Sequence, residues 1–315
     1  MRWLLRIVVR FGVALWCVAQ PAFAFAVEPA ADTPAPRIAA SLSPIANFAY
    51  QLDCISGWLR SCGGREDYTR LWQSQFGVDA AQSTEVSAWR SAFSGSQDLL
   101  VRARIASFES TSIEDYMRKI DTLFARDRAA AVRNVVRAHY PAFEQWWNEA
   151  SRANRDSRVT ALQRALESPP LEGELPKLYR FFAVPADSSR VLHLALLYRP
   201  VEGEPQHTTG EFLGDDWSVA EFAPAEAIAN RLGVILHEYT HYVFAKMRAS
   251  DRDALRAAIT ANPEHGAAAW SLFNESVATA VGNGRTFRTL AADADWQSYY
   301  RRDKSFYYDD AVDTS

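Results

Sequence analysis

The stretch of this chain whose residue types and spacing can do chemistry is His237-Glu238-Tyr239-Thr240-His241. Residues four apart on an α-helix share a face, so His237 and His241 can present two imidazole nitrogens to one metal ion. Glu238 then stands beside that ion with a carboxylate free to act as a base. Two ordinary core histidines would account for the residue types but not for their joint spacing around the glutamate. His139, His193 and His207 are scattered, have no partner at ligand spacing, and read as structural or exposed.

A second segment, Leu272-Phe273-Asn274-Glu275-Ser276-Val277-Ala278, falls on a later predicted helix. HEYTH followed by NESVA resembles the gluzincin metallopeptidases, the broad group that includes thermolysin and the zinc aminopeptidases, whose third ligand is a glutamate in a segment such as NExxA. The resemblance runs from the first predicted strand to Gly284, about a third of the chain. It implies a zincin-like domain and one Zn²⁺ held by His237, His241 and Glu275. It also implies Glu238 as the catalytic base of peptide-bond hydrolysis, with a peptide or protein as substrate.

Two features depart from the family pattern. Glu275 lies 34 residues beyond His241, a longer interval than in the best-known members, which an inserted helix accounts for. Thermolysin-like enzymes carry an aspartate four residues after the third ligand to orient a zinc-bound histidine, and here that position is Thr279. Asp215, Asp216 and Glu221 are the candidates for the missing acceptor.

Two neutral imidazoles and one carboxylate leave zinc an open position, which a closed four-ligand structural site would not. Glu238 is suited to take a proton from the attacking water and later pass it to the leaving amine. The developing oxyanion needs a further donor or cation. His265, Tyr299, Tyr300, Arg301, Tyr307 and Tyr308 are candidates, and for each of them packing or surface exposure is the competing explanation. Two other readings stay open: a non-catalytic zinc-binding envelope or interaction protein, and a latent peptidase regulated by its helical N-terminal region.

The elements that must position these groups can be read from periodicity. Ile228, Leu232, Ile235, Leu236, Tyr239 and Val243 follow helical spacing, predicting a helix over residues 224–247 with Pro224 at its first position. Gly233, one turn before His237, suggests close packing of another backbone. A short helix over 250–263, capped by Ser250, and a longer one over 264–281, stopped by Gly282 and Gly284, follow. Upstream, residues 178–184, 191–198 and 216–222 read as strands, the first two joined by a hairpin loop at 185–189.

Residues 44–170 read as a helical region. Its helices are expected over 44–58, 67–76, 85–93, 112–140 (one long helix or two in series) and 141–168, with Pro169-Pro170 ending the last. Trp72, Trp89 and Phe93 are expected in the core. The expectation is therefore a predominantly helical α+β chain, with a helical region at 44–170 and a zincin-like catalytic domain at 171–315.

The first 26 residues combine Arg2, Arg6 and Arg10, an apolar run over 11–18, and the small-residue sites Ala22-Phe23-Ala24 and Ala24-Phe25-Ala26. This order predicts a cleaved secretory signal, an exported (periplasmic or extracellular) protein, and no stable membrane anchor after cleavage. An Ala/Pro-rich linker is expected over 27–43. Removing three arginines takes the net charge from -4 to about -7, which argues against a nucleic-acid binder. Of the three cysteines, Cys17 leaves with the signal, so Cys54 and Cys62 remain as an even pair expected to form a disulfide. At 315 residues, 48% hydrophobic and 23% charged, the chain can bury a sizeable core.

Overall fold

Ser43 and Pro44 start the helix around which the N-terminal half is packed. The Ser43 hydroxyl accepts the Ala46 N–H at 3.3 Å, and Pro44 sits at a first-turn position where its missing N–H is harmless. This helix, α1 (Pro44–Ile55), is buried from Ile45 through Ile55, so its polar side chains must find partners inside. They do: Trp72 Nε1 donates to Gln51 at 2.9 Å and Trp89 Nε1 donates to Asp53 at 2.8 Å. Asn47 donates to the carbonyl of Leu196 at 3.0 Å and accepts the N–H of Tyr198 at 2.6 Å. Trp72, Trp89 and Phe93 are core residues, as expected.

The computed structural model describes residues 35–59, 62–95, 97–149, 152–200, 210–224 and 228–290. The predicted signal, residues 27–34 of the expected linker, His207, Tyr299, Tyr300, Arg301, Tyr307 and Tyr308 lie outside them. The architecture is predominantly helical α+β with one four-stranded sheet. No described helix is long and apolar enough to cross a membrane.

After β1 (Arg37–Ser41) and α1 come α2 (Arg65–Phe76), α3 (Thr84–Phe93), α4 (Gln97–Phe108), α5 (Ile113–Leu123), α6 (Arg126–Glu149), α7 (Arg152–Leu166) and α8 (Pro169–Phe181). Then follow β2 (Val191–Tyr198), β3 (Gly210–Leu213), β4 (Trp217–Phe222), α9 (Ile228–Ala245), α10 (Ala249–Thr260) and α11 (Gly266–Val277). A π-helical segment, Ala278–Thr286, continues α11 into the short α12 (Phe287–Leu290). The sheet order is β1-β2-β4-β3, with β2 parallel to both β1 and β4 and β3 antiparallel to β4. The central β2 is buried from Leu194 to Tyr198, as a strand covered on both faces must be.

Several expectations need correction. Arg37–Ser41, inside the expected linker, is a strand: Ile38 is buried, and the backbone pairs with what would otherwise be an open edge of β2. Residues 178–184 are not a strand, because Leu171, Leu175, Leu178 and Tyr179 are buried along one face of α8, so there is no hairpin before β2. Pro169 and Pro170 begin that helix instead of ending the previous one. The helix stops in a Schellman-type turn, with Ala183 in the left-handed region (φ 53°) and the Val184 N–H reaching the Tyr179 carbonyl at 3.0 Å.

Pro141 lies within α6. An interior proline costs about 3 kcal/mol, but burying Val132, Val135, Val136, Tyr140, Phe143 and Trp147 at roughly 1.5–3 kcal/mol each outweighs it. Pro224 lies in a turn rather than at the first position of α9, and Arg248 rather than Ser250 occupies the cap of α10. Gly282 and Gly284 do not stop the last helix, because the π-helical segment runs through both. Neither α4 nor β3 was anticipated.

The border expected at residue 170 is crossed by packing. All described residues belong to one compact unit, and the buried apolar side chains from Ile38 to Phe244 form one cluster. Tyr50 and Tyr68, from α1 and α2, donate to Glu221 of β4 at 3.1 and 2.9 Å, and Arg199 pairs with Asp67 at 2.6 Å. Cys54 and Cys62 form the expected disulfide, with Cα atoms 5.6 Å apart, tying α1 to the turn before α2.

Candidate metal centre

α9 forms because its apolar positions repeat at helical spacing: Leu232, Ile235, Leu236, Tyr239, Tyr242 and Val243 are buried against the sheet and α8. Tyr239 donates its hydroxyl to that of Tyr179 in α8 at 3.1 Å. The same 3.6-residue period puts His237 and His241 one turn apart, with ring centroids 4.6 Å apart and planes at 82°. His237 is buried and His241 half-buried.

The three predicted ligands converge. His237 Nε2 lies 3.0 Å from His241 Nε2 and 3.1 Å from Glu275 Oε1, and His241 Nε2 lies 3.3 Å from Glu275 Oε2. Zinc–ligand bonds of about 2.0–2.1 Å place the donors of a regular tetrahedron about 3.3 Å apart, so the spacing suits a four-coordinate cation. Among the described residues this is the one group of three or more His, Cys, Asp or Glu that could hold a metal ion. The Glu275 side chain remains 47% exposed, so one side of the cluster is open.

Charge and burial act together here. Hydrogen bonds from His237 and His241 hold the Glu275 carboxyl down, to about 2. Burial opposes a charge on His241, but Glu275 and Asn274 beside it prevail and raise its proton affinity. The Nδ1 of His241 is buried without a hydrogen bond of good geometry. Asp215, Asp216 and Glu221, the sequence candidates for an orienting acceptor, are each engaged elsewhere: with Lys246 at 2.6 Å, with Arg190 at 2.5 Å, and with Tyr50 and Tyr68. Asn274 is the polar neighbour that the sequence does not single out; it directly precedes Glu275, the predicted third ligand.

Glu238 sits against β3. A Cβ on Gly210 would lie 2.7 Å from its Cγ and 3.2 Å from its Oε1, so the absent side chain leaves the room that Glu238 occupies in this position. Burial raises the Glu238 pKa; His237 and His241 pull it down, and Glu275 and Glu211 push it up.

β3 itself is held from both faces. Phe212 stacks on Tyr242 of α9 at 4.7 Å, while Glu211 receives Arg104 of α4 at 3.0 Å. Arg104 also lies 3.4 Å from Asp53, whose pKa burial raises to about 6 against the opposing pull of the arginine. Glycines bound the run Gly210-Glu211-Phe212-Leu213-Gly214, and this was the unread signal for β3.

Of the other candidates, exposed His265 caps α11 and faces Glu264 at 3.5 Å. Ten residues before Glu275, it is about 15 Å up the helix and cannot reach the three ligands. His193 stacks on Trp217 at 4.7 Å and His139 packs edge-on to Trp72 at 5.7 Å, both structural as expected. Comparison of the chain with known family models, with characterised proteins and with solved structures yields no match.

Proposed function

We propose that this chain is an exported zinc-dependent peptidase of zincin-like architecture, with His237, His241 and Glu275 as ligands and Glu238 as general base. The observation that carries the reading is the convergence of the three donor groups within 3.0–3.3 Å, beside a half-buried glutamate of raised pKa. A zinc ion bound there supplies Lewis acidity toward a water and a carbonyl at a position the protein leaves open.

Glu238 accepts the proton of the attacking water on its carboxylate and returns it to the leaving amine. Burial raises its proton affinity, which strengthens it as a proton acceptor. Gly210 and Val234 confine its side chain. Among the described residues β3 pairs on one side only, so its outer edge offers backbone groups to an extended peptide laid beside Glu238. That edge is what favours a peptide over another acyl substrate. The Cys54–Cys62 disulfide supports an oxidising compartment.

One observation favours a second reading. Asp215, Asp216 and Glu221 are all engaged elsewhere, so the polar neighbour of His241 is the amide of Asn274 rather than a carboxylate, which suits a metal-binding protein without turnover. Metal analysis and a peptide-library digest separate the two. Wild type should carry one zinc and cleave, and Glu238→Gln should retain the zinc and lose cleavage. Zinc without cleavage in wild type selects the second reading, and undiminished turnover in Glu238→Gln removes the base assignment.

A further inference from the structure

Nine consecutive residues, Ala278–Thr286, are wound as a π-helix immediately after the helix that carries Glu275. π geometry normally occurs as single turns, so a run of this length needs a compensating contact. The contact is with the backbone of α9. A Cβ on Gly282 would stand 2.6 Å from His237 Cα, 2.7 Å from His237 N and 2.7 Å from the Leu236 carbonyl oxygen. All three atoms are backbone, so no side-chain rotation relieves the overlap. Ala278, one π-turn earlier, is wholly buried.

We infer that Gly282 is a positioning residue for the metal centre: its missing side chain sets how closely the third-ligand helix approaches α9, and hence whether Glu275 reaches both imidazoles. Glu275 and Gly282 lie on one continuous helical run, so a displacement at 282 is transmitted seven residues back to 275. Restoring ordinary carbon contacts of about 3.5 Å at an added methyl moves the backbones apart by about 0.8 Å. The Glu275 contacts of 3.1 and 3.3 Å would then open to about 4 Å, against a tolerance of about 0.2 Å in a metal–ligand distance. The inference rests on the metal assignment and is independent of hydrolysis.

The test is zinc affinity, by chelator competition, and the cobalt(II) absorption spectrum of the full chain as wild type, Gly282→Ala and Glu275→Gln. Folded Gly282→Ala should bind zinc about ten- to a hundredfold more weakly, and its cobalt spectrum should move toward that of Glu275→Gln. Wild-type affinity and spectrum in folded Gly282→Ala would overturn the inference. If Gly282→Ala does not fold, Ala278→Val enlarges the same interface more gently and is judged by the same two readouts. A wild-type chain that takes up no zinc defeats the metal assignment and this inference together, whereas normal zinc uptake in both glycine and alanine forms defeats the inference alone.

Discussion

Gly210→Ala perturbs the candidate base without touching a ligand. The new Cβ would lie 2.7 Å from Glu238 Cγ and 2.9 Å from Val234 Cγ1, about 1 Å inside ordinary carbon contact. β3 cannot readily retreat, because its ladder to β4, the Arg104–Glu211 pair and the Phe212–Tyr242 stack all hold it. The Glu238 side chain therefore gives way. A catalytic group displaced by about 1 Å loses roughly 100-fold in rate, close to 2.7 kcal/mol in the barrier. The assay is kcat and KM on the best peptide from the library digest, alongside zinc stoichiometry and melting temperature. The expected result is full zinc, near-normal KM and a kcat reduced about 100-fold. Gly173→Ala is the control: its Cβ meets nothing within 4 Å, so turnover should be unchanged and α8 stabilised by about 0.5–1 kcal/mol. Wild-type kcat in zinc-loaded Gly210→Ala would show that this glycine does not hold Glu238 in place.

Zinc binds the neutral imidazole, and the proton affinity of His241 is raised, so zinc affinity should still be climbing above pH 6.5 and should fall as pH drops through that range. Calorimetry in buffers of different ionisation heat should show proton release, and a pH-independent affinity would contradict the ligand assignment. The Asp53 pKa is raised from 3.8 to about 6, so the native state binds the extra proton and stability should decline by about 2 kcal/mol as pH rises from about 4 to 6. Comparing denaturant unfolding of wild type and Asp53→Asn over that range should show the decline only in wild type. Opening the Cys54–Cys62 disulfide, which spans 8 positions of sequence, should lower stability by about 2–3 kcal/mol, read as a reduced urea midpoint after gentle reduction.

Local spacing made part of this molecule legible. The 3.6-residue period of Leu232, Ile235, Leu236, Tyr239 and Val243 announced α9, and the same period placed His237 and His241 on one face. Val191–Tyr198 announced the central strand through its unbroken apolar run. Proline misled where its context was tertiary. Pro141 continues a helix that aromatic burial sustains, and Pro169-Pro170 start one. Residues 178–184 misled because a short apolar run fits strand and helix alike, and only the partners of Leu178 and Tyr179 decide between them.

Glycine carried the largest discrepancy. Gly282 was read as a helix stop, the usual meaning of a glycine after an apolar run, whereas here it admits the backbone of His237. The meaning of such a glycine depends on what stands opposite its absent side chain, and no local pattern encodes that.

By itself the sequence determined the chemistry available to this chain: two imidazoles and a carboxylate on one helix, with a second carboxylate 34 residues on. Those are matters of residue type and helical period, both local. Tertiary structure decided whether Glu275 meets the imidazoles, which strand covers Glu238, and that Arg37–Ser41 closes a sheet edge. Each of those contacts joins segments distant in sequence, and its geometry is set by the packing of whole elements rather than by any neighbour along the chain.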